Sequence, residues 1–334
     1  MTRSDGASAT EVAVIGAGVV GLTTAGQLAD HGFDVEVIAA EYYPRVVSNL
    51  AAGIIFPYAV PSTKLVNETA RRSLAWYASM ARAGWPVRAQ CHYELSVTMG
   101  EAVEAILPFS HLFPDFTPLE PDEMPLAYPL GWRFTTYFVD TRIAMRFLYD
   151  SCVRKGVRFR RSHLPDREAL EALPHTVVVN CSGLGARDLV GDVDVYPIRG
   201  QLVYIRPVEL GYSVIHGPYY AFPRSHDCVL GGTQEHNVWS TAPRADVTKT
   251  ILEGNSSLVG SLSERDVIGV RVGLRPFRRG GPRVGVEITG DKLLAHNYGH
   301  GGSGWTLAPG CAEVLVAQIE DLLSVPPLEP AHAA

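Results

Sequence analysis

One glycine-rich stretch constrains this chain more than any other part of it: VAVIGAGVVGLTTAGQLAD, which begins at Val12. Its first four residues are apolar and predict a buried parallel strand, and the residues after GAGVVG are compatible with a helix. In such a unit Gly16 allows the tight turn, Gly18 lets a pyrophosphate approach the backbone, and Gly21 lets the helix pack against the strand. The phosphate then meets free N–H groups at the positive end of the helix. We therefore predict a dinucleotide-binding unit, for which an ordinary strand-to-helix turn is the alternative.

A second parallel strand is predicted at residues 35–39. The acidic residue that would hold a ribose hydroxyl is expected about 20 residues beyond the glycines, and two glutamates stand there. Glu36 lies inside the strand, whereas Glu41 lies at its carboxyl end, where ligands bind to open α/β sheets. We therefore assign the ribose contact to Glu41, with a solvated loop glutamate as the alternative.

The overall composition excludes several classes of function. With 334 residues, of which 46% are hydrophobic and 19% charged, the chain can bury a substantial core in one large or two ordinary domains. The formal net charge of −6 and the lack of Lys/Arg clusters alternating with aromatic residues argue against nucleic acid as a partner. No apolar run approaches the roughly 20 residues of a transmembrane helix. Residues 1–10 lack the apolar core of a signal peptide, so we expect a cytoplasmic protein.

The five cysteines and eleven histidines show no motif for metal binding. The cysteines are odd in number, widely spaced and free of CxxC pairing, which predicts buried, reduced thiols. The histidines show no HExxH or comparable spacing. We therefore expect no metal site.

Strand patterns of two kinds alternate along the chain. Residues 86–139 combine short alternating segments with proline-rich connections, and residues 196–238 again show antiparallel signals. Between these regions, the apolar run at 176–180 indicates another buried parallel strand. The glycine-rich segment 299–304 opens a closing helix at 305–323. Signals for parallel strands and helices occur near both ends of the chain and enclose the antiparallel regions, which indicates two interleaved domains.

The fold class that these patterns predict is α/β. A Rossmann-like nucleotide-binding domain with a parallel sheet is assigned residues 11–85, 140–195 and 290–325. A mainly antiparallel α+β substrate-binding domain is assigned residues 86–139 and 196–289. Helices are expected at 67–84, with Asn67 as the N-cap, and from Asp140 to about Lys155.

Six segments with motifs follow one another in an order that resembles a known family. They are Val14–Gly21, Ala51–Gly53, Val179–Gly183, Arg199–Gln201, Gly273–Pro276 and His296–Gly302. In this order they resemble the D-amino-acid oxidases, FAD flavoproteins related to the D-aspartate oxidases. The resemblance extends from residue 12 to about residue 310, and its last two segments are quite specific. One GxGxxG pattern can arise by chance, whereas this ordered set cannot.

The resemblance implies a noncovalently bound FAD and a defined reaction. The α-hydrogen of the substrate passes to the flavin as hydride, O₂ reoxidises the flavin with release of H₂O₂, and the imino acid hydrolyses to a 2-oxo acid and NH₃. The implied partners are a D-amino acid and O₂, and a homodimer is left open. The residues expected to hold FAD are Gly16, Gly18, Val19, Val20, Gly21, Glu41, Ser48, Ala52, Gly53, Ile54, Ser182, Gly183, Arg275, Gly301, Gly302, Gly304, Trp305 and Thr306.

The resemblance also implies a substrate site. Arg275 and Tyr220 match the family's carboxylate-binding pair and are assigned catalytic and substrate-binding roles; a surface arginine and a core tyrosine are the alternatives. Arg275 offers a planar fork of donors suited to a carboxylate, and Tyr220 adds a phenolic O–H. Phe56, His216 and Gly302 are assigned to the same pocket. Phe56 stands where the family often has glutamine, and His216 where mammalian members have a second tyrosine.

We predict substrates with neutral, mainly apolar side chains. An acidic side chain needs a second cationic group, because an unpaired buried charge is costly. D-aspartate oxidases supply an additional arginine where this chain has Gln234. Two residues leave acidic D-amino acids open as an alternative. His216 can be cationic at mildly acidic pH, and Arg224 is a further candidate cation, although it is expected to face solvent. An oxidase of glycine or N-methylated amino acids, a nicotinamide-dependent reductase and a non-catalytic flavin-binding protein also stay open.

Overall fold

The computed structural model describes residues 9–260 and 262–324. The strands are β1 (Glu11–Ile15), β2 (Asp34–Ala39), β3 (Val87–Ser96), β4 (Thr117–Pro118), β5 (Leu130–Val139), β6 (Arg158–Arg161), β7 (Val177–Asn180), β8 (Val195–Ile205), β9 (Ser213–His216), β10 (Tyr219–Pro223), β11 (Cys228–Gly231), β12 (Glu235–His236), β13 (Val267–Arg278), β14 (Arg283–Thr289) and β15 (Lys292–Tyr298). The α-helices are α1 (Val19–Asp30), α2 (Lys64–Arg82), α3 (Met99–Ala105), α4 (Thr141–Arg154), α5 (Arg167–Glu171), α6 (Ala186–Leu189), α7 (Ala245–Val259) and α8 (Gly304–Ser324). Residue 325, the end of the predicted nucleotide-binding segment, and residues 1–8, used to predict location, lie outside the described residues.

The first sheet contains the strand that precedes the glycine-rich turn. Its order is β14-β15-β7-β1-β2-β6, and all neighbours are parallel except the hairpin of β14 and β15. Alternate residues of β1 enter two different cores. Val12 and Val14 pack against α1, α4 and α8, whereas Ala13 and Ile15 pack against α5 and α6. Burial on both faces is why β1 is a continuous apolar run.

The second sheet is mainly antiparallel. Its order is β12-β8-β11-β10-β9-β3-β5-β4, with β13 also paired to β8, and only β3 and β9 are parallel neighbours among the described strands. Helix α7 packs on one face through Val247, Ile251 and Leu252. The opposite face carries Tyr220 and Phe222, which pack against the segment that follows β2. The predicted α/β fold class, with a parallel sheet and a mainly antiparallel one, is confirmed.

Most of the predicted elements are present, but one helix begins earlier than expected. The helix predicted at 67–84 is α2, and its N-cap is Thr63, whose Oγ1 accepts a hydrogen bond from the Val66 N–H at 3.2 Å. The assignment of Asn67 as N-cap was therefore wrong. Asp140 does cap α4, because its Oδ1 accepts from the Arg142 N–H at 3.2 Å.

One predicted domain boundary divides a hairpin. The boundary between residues 289 and 290 assigns β14 to the substrate-binding domain, yet β14 pairs with β15 from Arg283 to Thr289 and belongs to the first sheet. The tight turn at Gly290 keeps β14 and β15 in one sheet, so the boundary between the two domains lies before Arg283. The other boundaries stay predictions.

All five cysteines are free, and four of them are buried. Burial raises the pKa of these four thiols, Cys152, Cys181, Cys228 and Cys311, to about 12. No helix in the described part of the chain is long and apolar enough to cross a membrane. Within residues 9–260 and 262–324, no three His, Cys, Asp or Glu side chains are grouped to hold a metal ion.

Candidate active site

Two adjoining cavities lie between the sheets. The larger, of about 630 Å³, extends along the carboxyl ends of β1 and β2, and the smaller, of about 160 Å³, lies against the second sheet. They share the lining residues Val19, Val20, Val47, Ser48, Leu50, Cys181, Gly183, Gly273 and Pro276. The shared wall makes them one elongated space, whose length suits an extended dinucleotide.

The glycine-rich turn forms one end of this space. Gly16 has a φ of +108°, which only glycine adopts readily, and it forms the turn after β1. A Cβ on Gly21 would overlap the carbonyl oxygen of Gly16, so this glycine lets α1 approach the strand closely. Ser48 accepts a hydrogen bond from the Val19 N–H at 3.0 Å. The other N–H groups of this first turn have no intrahelical partner and remain able to bind an anion.

The two candidate ribose residues have different surroundings. Glu41 lines the larger cavity, where its carboxylate lies 3.1 Å from Arg161 and 3.3 Å from Arg45. Glu36 instead pairs with Arg160 at 3.2 Å and does not line either cavity. Of the two, Glu41 alone is placed to reach a ligand.

The other residues assigned to FAD mostly line the same space. Gly21 and Thr306 do not: Gly21 packs against the turn, and Thr306 donates to the Phe56 carbonyl at 2.9 Å from a buried position. Trp305 lines the smaller cavity and donates from Nε1 to the Ser48 carbonyl at 2.9 Å. Those that line a cavity are Gly16, Gly18, Val19, Val20, Glu41, Ser48, Ala52, Gly53, Ile54, Ser182, Gly183, Arg275, Gly301, Gly302, Gly304 and Trp305.

Arg275 and Tyr220 come together on the wall of the smaller cavity. Each lies over a glycine of the second sheet: a Cβ on Gly200 would overlap the Arg275 guanidinium, and a Cβ on Gly231 would overlap the Tyr220 ring. The Arg275 Nη1 donates to the Thr233 carbonyl at 3.2 Å, and no carboxylate of the described residues forms an ion pair with this guanidinium. The cation therefore keeps donors for a ligand.

The Tyr220 phenol is a proton donor over a wide pH range. Burial raises its pKa to about 12, although the positive charge of Arg275 acts in the opposite direction. The hydroxyl therefore stays protonated at neutral and mildly alkaline pH and can donate to an anion beside Arg275.

Tyr58 closes the same corner of the cavity, a role that the sequence did not indicate. Its ring centre lies 5.9 Å from the Arg275 guanidinium carbon, and its hydroxyl accepts from Gln234 at 2.5 Å. A Cβ on Gly302 would approach the Tyr58 ring to 2.6 Å, so this glycine leaves room for the aromatic side chain.

The rest of the smaller cavity is mainly apolar. Phe56 lines it and lies in a cluster of aromatic rings, 5.8 Å from Phe113 and 5.5 Å from Phe134 between ring centres. Leu202, Ile215 and Phe222 also line the cavity, and none of these three was predicted. Strand alternation could have suggested them, because Phe222 lies two residues from Tyr220 on the same strand.

His216 does not join this site. It pairs with Tyr219 across the β9–β10 hairpin, whereas Tyr220 pairs with Ile215, so the histidine and Tyr220 point to opposite faces. Its Nε2 lies 3.1 Å from Asn255 Oδ1 on α7, and burial lowers its pKa. The assignment of His216 to the substrate pocket does not agree with this position.

The comparisons with known proteins agree with the fold. A family model described as FAD dependent oxidoreductase matches residues 11–318. A D-amino-acid oxidase of Rubrobacter xylanophilus is 35% identical over 91% of this chain and 94% of its own length. A D-amino acid oxidase of Dugesia ryukyuensis is 31% identical over 93% of this chain and 98% of its own. The chain belongs to the D-amino-acid oxidase family. It is an FAD-dependent oxidoreductase, as the sequence predicts.

Solved structures share this fold. The glycine oxidase of Geobacillus kaustophilus superposes with a TM-score of 0.78, at 21% identity, over 97% of this chain and 100% of that one. The glycine oxidase of Bacillus cereus gives a TM-score of 0.77 at 20% identity, over 96% of this chain and 100% of that one. At these identities the similarity establishes the fold alone.

Proposed function

We propose that the chain oxidises D-amino acids with neutral, mainly apolar side chains to 2-oxo acids, with release of NH₃ and H₂O₂. The observation that carries this proposal is the pairing of Arg275 and Tyr220 on a cavity wall that is otherwise mainly apolar. Such a pair suits one carboxylate, and such a wall suits an uncharged side chain.

Arg275 binds the α-carboxylate through its fork of N–H groups, and the protonated Tyr220 donates a further hydrogen bond to it. The backbone of the Ala52–Ile54 segment and of Gly301 and Gly302 lies along the neighbouring wall, where the flavin ring would be held. FAD, when bound, accepts the hydride and passes the electrons to O₂.

The task of these residues is orientation. With the carboxylate fixed on Arg275 and Tyr220 and the side chain against the apolar wall, only one enantiomer presents its α-hydrogen to the flavin side. If the amine binds in its neutral form, no side chain has to act as a general base.

The charges of the cavity argue against acidic substrates. In the described lining of the smaller cavity, Arg275 and His300 are the basic residues, and burial lowers the pKa of His300 to about 4. Arg224 does not supply the missing cation: it is buried rather than solvent-facing, and it pairs with Asp227 at 2.6 Å. A second carboxylate would therefore be buried without a partner.

The test compares kcat/KM for D-valine, D-methionine, D-aspartate and D-glutamate at pH 8, with glycine and sarcosine as further substrates. We expect the two neutral D-amino acids to be preferred by at least about tenfold, since each 1.36 kcal/mol changes a rate tenfold. Preference for either dicarboxylic substrate would contradict the proposal. Preference for glycine or sarcosine would support the alternative class of oxidase. Location in the cytoplasm and the oligomeric state stay predictions.

A further inference from the structure

A buried glutamate of β3 lies on the face of the second sheet that lines the smaller cavity. Glu94 pairs in register with Ile215 of β9, and Ile215 pairs with Tyr220 of β10. Residues paired directly across neighbouring strands point to the same face of a sheet. Ile215 and Tyr220 both line the cavity, so Glu94 lies on that face, two strand spacings or about 10 Å from the Tyr220 backbone.

His92 holds this carboxylate in place. Its Nε2 lies 2.9 Å from Glu94 Oε1, and its Nδ1 lies 2.9 Å from Ser213 Oγ. The His92 ring packs at 5.2 Å from the ring of Phe134, and its side chain has no exposed surface. With both ring nitrogens bonded and the ring packed, the direction of the Glu94 side chain is fixed.

One oxygen of Glu94 keeps unused bonding capacity. Oε1 is bonded to His92, whereas no hydrogen bond within residues 9–260 and 262–324 reaches Oε2. The Glu94 side chain is 5% exposed. A buried carboxylate is stable when donors satisfy its oxygens, so a ligand group with an N–H or O–H would supply the missing partner.

Tyr58 links this carboxylate to the carboxylate-binding end of the cavity. Burial raises the pKa of the Tyr58 phenol, the positive charge of Arg275 acts against that rise, and the negative charge of Glu94 adds to it. The phenol of Tyr58 therefore lies within electrostatic range of both charges. Burial raises the pKa of Glu94, and the hydrogen bond and positive charge of His92 act against that rise. Glu94 lies on the same face of the second sheet as the lining residues Ile215 and Tyr220.

We propose that Glu94 determines which long side chains the enzyme accepts. A substrate whose side chain ends in a hydrogen-bond donor, above all an ammonium group, extends past Ile215 and bonds to Oε2, whereas a terminal carboxylate is repelled. This inference rests on the proposed function, because it requires the α-carboxylate to lie on Arg275 and Tyr220. It extends the substrate range from neutral, mainly apolar side chains to long ones that end in a donor.

The first test uses Glu94→Gln, which keeps the shape of the side chain and removes its charge. Two ratios of kcat/KM are measured on the FAD-loaded enzyme: D-lysine over D-norleucine, and D-glutamate over its isostere D-glutamine. We expect the first ratio to fall and the second to rise, each by about tenfold or more, since a hydrogen bond to a charged group is worth at least that factor. Glu36→Gln is the matched control: Glu36 is also largely buried beside a histidine, His175, but lies on β2 of the first sheet, so both ratios should stay unchanged.

A second measurement needs no variant. Binding of 6-aminohexanoate, hexanoate and hexanedioate to the wild-type holoenzyme is followed by the change in flavin absorbance. These ligands carry the carboxylate for Arg275 and differ at the far end, so we expect 6-aminohexanoate to bind about tenfold more tightly than hexanoate and hexanedioate to bind most weakly.

The outcomes separate this inference from the proposed function. The role of Glu94 is wrong if Glu94→Gln leaves both ratios within threefold of the wild-type values, or if hexanoate binds more tightly than 6-aminohexanoate. As long as the wild type oxidises D-valine, the proposed function then still stands. If the wild-type holoenzyme oxidises no D-amino acid, both are wrong.

Discussion

Replacement of Arg275 by leucine tests the substrate site most sharply. The Arg275 guanidinium gives one hydrogen bond to the Thr233 carbonyl and lies beside the Tyr58 ring, and no carboxylate of the described chain neutralises it. The leucine variant removes the two donors of the fork and leaves the substrate carboxylate in a cavity with an apolar wall. Tyr220 then remains as the only carboxylate donor that we assign.

The expected loss can be estimated from the two hydrogen bonds. Each charge-assisted bond is worth roughly 1.5–3 kcal/mol, so the pair contributes about 3–6 kcal/mol. At 1.36 kcal/mol per factor of ten, kcat/KM should fall by about 10²- to 10⁴-fold. Most of this loss should appear as a higher KM, because the guanidinium contacts the carboxylate both before and during the reaction.

The assay is peroxide formation with D-valine, combined with the ratio of flavin to protein absorbance. Arg271→Leu is the matched control, because Arg271 lies on the same strand, is exposed and bonds only to the Val270 carbonyl among described residues. We expect Arg275→Leu to keep nearly full FAD content and the control to stay within about twofold of the wild type. If Arg275→Leu retains normal kinetics, the arginine is structural and the reasoning is refuted.

Three further predictions concern the tyrosine and the cofactor. 3-Methylbutanoate is valine without its amine, and its Ki should stay constant from pH 7 to pH 10, because the raised pKa of Tyr220 keeps the phenol protonated. A rise in Ki centred near the ordinary tyrosine pKa of about 10 would show that the pKa of Tyr220 is not shifted. Gly231→Ala should displace the Tyr220 ring and raise the KM for D-valine by about tenfold or more while FAD content is kept, and an unchanged KM would show that the ring position is unimportant. Acid precipitation should release all of the yellow colour into solution, and colour left in the pellet would contradict noncovalent binding.

The nucleotide-binding half of the site could be predicted from local sequence. The strand, turn and helix around Gly16 and Gly21 are adjacent in the chain, so their arrangement follows from residue type and spacing alone. Arg275 and Tyr220 were identified by resemblance, and their meeting on one wall depends on strand pairing over long sequence distances.

His216 shows why the substrate half was harder to predict. It was assigned from its spacing of four residues before Tyr220. The tight β9–β10 hairpin pairs His216 with Tyr219, so the spacing places it on the opposite face and places Ile215 in the cavity. A one-residue shift in pairing reverses every side chain of a strand, and turn length decides it.

Glu94 and His92 illustrate a second limit. In β3 polar residues alternate, which ordinarily indicates a solvent-facing side. Here Gln90, His92, Glu94 and Ser96 are buried, and the His92 ring is hydrogen-bonded to both Glu94 and Ser213 across two strands. The sequence does not show that pairing, because β3 and β9 are far apart in the chain.

The most direct test of the account is the yield of H₂O₂ from the purified yellow protein with D-methionine and with L-methionine under identical conditions. We expect peroxide, together with an equal amount of 2-oxo acid, from the D enantiomer and at most a trace from the L enantiomer, because the carboxylate pair and the apolar wall fix one orientation of the α-hydrogen. Equal turnover of the two enantiomers, or no peroxide from either, would contradict the proposed oxidation of D-amino acids.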